Sequence, residues 1–317
     1  MRKAARLALV VAATALAACH GRQTQDLVLK IASQRGSTRA VMEAAGVLQG
    51  APYKIEWSEF PSAQALLEAL DGGAVDAGLV GDAPFMFAYA SGAPIKAVQA
   101  LRADNGGAAT AIVVPAASPI RSLADLKGRR IAAGKGSIGH YLLLLALARA
   151  GLKPSDVTIV FLAPGDAKAA LTAGSVDAWA SWDPYVAQAV LHDHDQVLVN
   201  GRGLLHDVGF EAASDTAIAG KHAALDDFLG RLAKAWRWAA DNPGAYAQVL
   251  SKQTGLPLDV AVYTVKQRGR YLAVPIDADV EADERAVMGR FHDAGVIANP
   301  PDVHAALDPS FNDAVTP

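Results

Sequence analysis

The stretch Leu70-Asp-Gly-Gly-Ala-Val-Asp-Ala-Gly-Leu-Val-Gly-Asp-Ala-Pro84 reads as a helix end, a small-residue turn, a short strand and the first turn of a new helix. Leu171-Thr-Ala-Gly-Ser-Val-Asp-Ala-Trp-Ala-Ser-Trp-Asp-Pro184 repeats that construction further along the chain. In both, Val-Asp-Ala opens the strand, and an aspartate and a proline mark the next helix start. Aspartate can accept from the unpaired amides of a first turn, and proline gives up no hydrogen bond there. The repetition predicts two lobes of similar build, each presenting a helix N-terminus. The plainer reading is that αβα units converge on such turns.

Outward from these stretches the apolar pattern alternates between β-like and helical runs. Strands are expected over 27–32, 53–59 and 75–80, with helices over 38–48, 62–70 and 82–90. A Gly-rich stretch, 104–107, precedes the apolar run 111–114, and the rhythm restarts. A capped short helix (122–128) leads to strands over 130–133, 158–162 and 177–181, with helices over 138–150, 166–172 and 184–191. A loop over 200–209 gives way to a strand-like 210–218. From Leu225 the chain is nearly all helical, with Pro243 and Pro257 placed to start helices. Such alternation predicts an α/β fold of mostly parallel sheet covered by helices on both faces.

The 317 residues suffice for two domains, and 52% hydrophobic residues supply two cores. At the N-terminus, Arg2, Lys3 and Arg6 precede an uncharged apolar run, 7–17, too short to span a bilayer but suited to a signal peptide. It ends in Leu16-Ala-Ala-Cys19, at the single cysteine of the chain. This resembles the lipobox of bacterial lipoproteins and predicts a signal peptide over 1–19, lipidation at Cys19 and a polar tether over 20–26. An ordinary secretory signal with an incidental cysteine is the alternative. A lipid anchor adds membrane affinity without a transmembrane helix. The net charge of −3, with no basic stripe interleaved with aromatics, argues against nucleic acid.

Three strand-to-helix junctions fall at carboxyl ends of strands, where open α/β sheets bind ligands. At Gly81-Asp82-Ala83-Pro84, exposed amides and the helix dipole favour an anion, and Asp82 is expected to cap the helix. At Gly134-Lys-Gly-Ser137-Ile138-Gly139-His140, the glycines are expected to turn amides toward a ligand beside the Ser137 hydroxyl and His140. This stretch satisfies G-x-G-x-x-G, but the next strand ends Phe161-Leu-Ala-Pro164 where a dinucleotide site needs an acid. It is not a P-loop either, because Gly136 stands where the hydroxyl residue should follow the lysine. At Trp179-Ala-Ser-Trp182-Asp183-Pro184, Trp182 at the strand tip offers an apolar wall, Trp179 reads as core and Asp183 as a cap. His192-Asp-His-Asp195 has metal-ligand residue types, but no paired motif elsewhere, and no metal site is predicted.

These junctions carry a resemblance to the aliphatic-sulfonate-binding proteins of ABC importers, within a wider group that binds taurine, nitrate or thiamine precursors. The residues that carry it are Gln34-Arg-Gly36, Glu56-Trp-Ser-Glu-Phe-Pro61, Gly81-Asp-Ala-Pro84, Ser122-Leu-Ala-Asp-Leu-Lys-Gly128, Lys135-Gly-Ser137 and Val176-Asp-Ala-Trp-Ala-Ser-Trp-Asp-Pro-Tyr185. The similar region runs from about 27 to 218. The resemblance implies a type II periplasmic-binding-protein fold: two βαβ lobes joined by two crossover segments, with a ligand cleft between them. Lobe one would comprise 27–110 and 212–317, and lobe two 111–211. It implies a monomer in the periplasm that closes on a small anionic, sulfonate-like ligand, uses no cofactor, catalyses nothing, and serves an ABC permease and its ATPase.

By the same resemblance Gln34, Gly81, Asp82, Ala83, Ser137, Ile138, Gly139, His140, Trp182 and Asp183 line the cleft. A singly charged sulfonate is expected to rest on several neutral donors rather than on an arginine fork. The chain departs from the family pattern at Arg35, where lysine is frequent, and at Phe210-Glu211, where an aromatic pair is frequent. Glu211 would either select an amino-bearing ligand or face solvent. Nitrate, taurine and thiamine precursors stand as alternative ligands. A lipoprotein sensor or an enzyme on the same scaffold stands as the alternative of another class.

Overall fold

A computed structural model describes residues 27–34 and 37–315. Cys19, its leader and tether, and Arg35 with Gly36 lie outside the described residues. The chain opens β1 (Val28–Gln34), α1 (Ser37–Ala44), β2 (Lys54–Phe60), α2 (Ala63–Asp71), β3 (Ala77–Gly81), α3 (Asp82–Ala90) and β4 (Ile95–Ala103). It then crosses to β5 (Thr110–Val114), β6 (Arg130–Ala133), α4 (Ile138–Arg149), β7 (Thr158–Phe161), α5 (Pro164–Thr172), β8 (Ala178–Trp182), α6 (Tyr185–Leu191) and β9 (Gln196–Asn200). It returns through β10 (Val208–Ser214) to α7 (Asp215–Asp241), α8 (Pro243–Thr254), α9 (Leu258–Arg268), β11 (Tyr271–Val274) and α10 (Ala278–Asp293).

The first lobe is built on a six-stranded sheet ordered β11-β4-β10-β3-β1-β2, the second on a five-stranded sheet ordered β7-β6-β8-β5-β9. Both are mixed, which corrects the expectation of mostly parallel sheet. Parallel pairing holds only where βαβ units build it, at β2-β1-β3 and β7-β6-β8. A strand that leaves or enters a lobe runs against its neighbours, so β10 is antiparallel to both β3 and β4, and β5 to both β8 and β9.

The repeated Val-Asp-Ala has a mechanical meaning. In lobe one, Asp76 accepts from the Lys30 amide at 2.7 Å, and its own amide donates to the Lys30 carbonyl at 2.7 Å. In lobe two, Asp177 clasps Arg130 in the same way, at 2.8 and 2.7 Å. Each aspartate thus fixes the register of the strand pair that ends at the cleft.

Several expectations shift. The helix over 38–48 ends at Ala44. The strand-like 210–218 is a strand only to Ser214, whose hydroxyl accepts from the Ala217 amide at 3.2 Å and starts α7. Three strands escape the pattern: β4, β9 and β11. In β4, a central strand buried at seven of nine positions, Lys96, Gln99 and Arg102 break the apolar run. The boundary at 211 moves as well: Val208–Glu211 already pairs with β3 and β4, so the chain re-enters the first sheet at Val208.

Gly107 and Gly201 lie where the two crossovers touch. The Gly107 amide donates to Asp207 Oδ2 at 2.9 Å, and a Cβ on Gly201 would come within 2.5 Å of the Gly107 carbonyl. The lobes also meet away from the crossovers. Tyr185 donates to the Pro61 carbonyl at 3.0 Å and Gln64 to the Lys135 carbonyl at 3.4 Å. Ala187 packs with Leu256 and Val260, and His192 pairs with Asp259 at 3.0 Å.

Candidate functional site

Between the lobes lies a cleft of about 170 Å³, walled by both. A void of that size accepts a ligand about as large as benzene. From lobe one come Gln34 at the end of β1, Gly81 at the end of β3, and Asp82 and Pro84 in the first turn of α3. From lobe two come Ser137 and Ile138 at the start of α4, Trp182 at the end of β8, then Asp183 and Pro184. These are the carboxyl ends of parallel strands. Seven predicted residues are therefore brought together: Gln34, Gly81, Asp82, Ser137, Ile138, Trp182 and Asp183.

The start of α4 is formed by chemistry local to its sequence. Ser137 has extended φ/ψ, and its hydroxyl accepts from the His140 amide at 3.1 Å, so the cap is neutral. The two neighbouring glycines also serve packing. Gly136 has φ +69° and would place a Cβ 2.4 Å from Phe87 of the other lobe; its amide donates to His140 Nδ1 at 3.3 Å. A Cβ on Gly139 would meet the Ala180 carbonyl at 2.5 Å, so glycine lets α4 lie directly on β8.

Four predicted residues fall outside the lining. Ala83 is fully buried in the core of lobe one, and Gly139 is held against β8. His140 is buried, with its ring 5.1 Å from that of Phe161 and 5.8 Å from that of Phe291. Burial, with Lys135 nearby, lowers its pKa to about 4, so it is a neutral core histidine. Glu211 neither lines the cleft nor faces solvent. It is fully buried on β10, opposite Leu79 and Gln99, with no partner on either oxygen, and burial pushes its pKa well up. The signal that misled was its place in the chain, beside the second crossover; strand alternation turns its side chain into the core.

Asp82 and Asp183 depart from the simple caps expected of them. Each carboxylate uses one oxygen on its helix, Asp82 Oδ1 on the Ala83 amide at 2.6 Å and Asp183 Oδ1 on the Ala187 amide at 2.9 Å. The second oxygen of each is buried without a partner. Burial pushes both upward, Asp183 to about 7; Asp207 and Asp283 add to the effect at Asp82. Trp179 is core, at 1% exposure, whereas Trp182 is half-buried and edges onto Tyr185 at 5.8 Å between centroids. His192 is in hydrogen-bond contact with Asp259 and Asp193 forms an ion pair with Lys168, and no cluster of three metal-ligating side chains occurs among the described residues.

The cleft also contains residues that the pattern did not reveal: Gln64, Thr110, Asp207, Thr264, Arg268 and Tyr271. The last three come from the helical C-terminal region, where helical periodicity marks which face is buried but not which residue reaches a cleft. Tyr271 lies over Gly209, where any Cβ would collide with its hydroxyl. Arg268 places a cation in a cleft for which only neutral donors were expected.

Residues 55–246 match the family described as NMT1/THI5 like. The alkanesulfonate-binding protein SsuA from Xanthomonas axonopodis pv. citri, bound to MOPS, is 34% identical with a TM-score of 0.83, over 89% of this chain and 98% of that one. The periplasmic aliphatic sulphonate binding protein SsuA from Escherichia coli is 33% identical with a TM-score of 0.79, over 89% and 92%. A relative from Escherichia coli (strain K12), 33% identical over 310 residues and 97% of each chain, is named for binding aliphatic sulfonates. The two-lobed architecture is shared with these solved structures.

Proposed function

The chain belongs to the NMT1/THI5-like family, and from that premise we propose that it is the periplasmic solute-binding component of an ABC importer for aliphatic sulfonates. The observation that carries this reading is the cleft itself, lined from both lobes and entered by the neutral-capped first turn of α4. Amides at a helix start suit an anion. Trp182 supplies an apolar face for an alkyl chain. Lobes that already touch on both flanks fit capture by closure, and release by opening at the crossovers. The full-length similarity to sulfonate-binding proteins supports the ligand class.

The reading is binding without turnover, supported by relatives that are named as binding proteins. The partners are a permease and its ATPase, and the protein acts as a monomer held at the membrane by lipid on Cys19. A Cys19→Ser variant is expected to leave the detergent phase of a Triton X-114 partition; retention there would remove the anchor.

A thermal-shift screen of the soluble form starting at His20 tests the function. At 100 times its dissociation constant, a ligand stabilises the fold by about 2.7 kcal/mol. Alkanesulfonates are expected to raise the melting temperature, and Ser137→Ala with Trp182→Ala to abolish the rise. A folded protein that ignores every sulfonate, while responding to nitrate or a thiamine precursor, would replace the ligand class.

A further inference from the structure

Arg268 is the only lysine or arginine lining the cleft among the described residues. Its guanidinium carbon lies 5.4 Å from the centroid of Trp236 and 5.6 Å from that of Tyr271, and one nitrogen is 3.5 Å from the Tyr246 hydroxyl. The three rings brace one another, with Trp236 edge-on to Tyr271 at 5.1 Å and to Tyr246 at 5.9 Å. Among the described residues no carboxylate comes within 4.0 Å of this guanidinium, although eight other lysine or arginine side chains pair with one elsewhere. The two acids that feel its charge have an oxygen committed to backbone, Asp207 to the Gly107 amide and Asp183 to the Ala187 amide.

Arg268 is half-buried at the cleft wall, and a guanidinium matches an oxyanion through two parallel N–H donors. We propose that Arg268 receives the anionic group of the ligand, and that Trp236, Tyr246 and Tyr271 hold its fork in the binding orientation before the ligand arrives. The proposal rests on the solute-binding reading and deepens it to a specificity. Arg268 is the one cation at the site, so it neutralises a single negative charge, and an ionised Asp82, Asp183 or Asp207 repels a second. The site therefore takes sulfonate monoanions in preference to sulfate. The collar fixes the fork in advance, so less side-chain freedom is lost on binding.

Calorimetric titration of the soluble form with ethanesulfonate and with sodium sulfate, for wild type, Arg268→Gln and Arg268→Lys, tests this together with the melting temperature of each ligand-free protein. Arg268→Gln is expected to weaken ethanesulfonate by about 10- to 100-fold, the range for a lost charged hydrogen bond. Arg268→Lys, which keeps the charge and loses the fork, is expected to fall between. Sulfate is expected to bind wild type at least about tenfold more weakly than ethanesulfonate, in line with one charge mismatch. The melting temperature of ligand-free Arg268→Gln is expected to hold or rise, because a cation without a counter-ion has been removed. Binding by Arg268→Gln within about threefold of wild type, or sulfate binding as tightly as ethanesulfonate, overturns the proposal. So does a parallel loss of affinity and melting temperature in both variants, the mark of a residue that only packs. A wild type that binds no sulfonate at all sinks the solute reading instead, which separates the two failures.

Discussion

Glu211 has no partner on either oxygen at full burial, and a buried carboxyl in that state keeps its proton. Asp82, Asp183 and Glu284 are shifted the same way by burial. The unfolded chain gives up these protons near pH 4, whereas the native state holds that of Asp183 to about pH 7. Between those limits the native state binds more protons, so stability falls as pH rises. His140 opposes this only below its unfolded pKa near 6.5, where the unfolded state is the one that takes the proton. The melting temperature is therefore expected to be higher at pH 6.5 than at pH 8. Glu211→Gln, a neutral mimic of the protonated acid, should raise the pH 8 value and flatten the slope; a lower value at pH 8 with an unchanged slope would contradict this. Gly139→Ala should cost about 1–3 kcal/mol in urea denaturation, because its Cβ has the Ala180 carbonyl at 2.5 Å and nowhere to move.

At the scale of the element, the strand-turn-helix junctions were legible because their chemistry is local. Ser137 caps α4 through its own hydroxyl, and Asp76 and Asp177 clasp the strand beside them. Asp76 is the more enclosed and also pairs with Lys221 at 2.6 Å, whereas Asp177 is partly exposed and meets Arg129 at 3.8 Å. Asp76→Ala is accordingly expected to cost more than Asp177→Ala, about 1–3 kcal/mol against less than about 1 kcal/mol by chemical denaturation. Equal costs would mean that the register is set elsewhere. The strands β4, β9 and β11 were not legible, since their place depends on partners far along the chain. In β4 the Gln99 amide donates to the Leu229 carbonyl of α7 at 3.1 Å, a bond no local pattern contains. His140 failed for a related reason: the first turn of a helix has several faces, and packing against Phe291 of the other lobe decided which one it took.

Across the whole molecule, the lobes are tied by two crossovers and by contacts on either flank of the cleft. Tyr185 reaching the Pro61 carbonyl and His192 reaching Asp259 both span the lobes. Removing the Tyr185 hydroxyl as Tyr185→Phe is expected to weaken ligand binding a few-fold, by about the 0.5–1.5 kcal/mol of one hydrogen bond, without altering the secondary structure. Such a loss would show as faster ligand release in stopped-flow tryptophan fluorescence. The two-lobe plan was readable from the repeated junction, but the site was read only where strands end. Arg268, Thr264 and Tyr271 reach the cleft from the C-terminal region and depend on how α7, α8 and α9 pack.

The most direct measurement is a calorimetric titration of the wild-type soluble form with ethanesulfonate, in phosphate buffer, since MOPS, a sulfonate itself, occupies a structural relative. Saturable binding of one ethanesulfonate per chain, abolished by Ser137→Ala with Trp182→Ala, is the predicted result. A folded wild type that takes up no ethanesulfonate or longer alkanesulfonate would contradict the account.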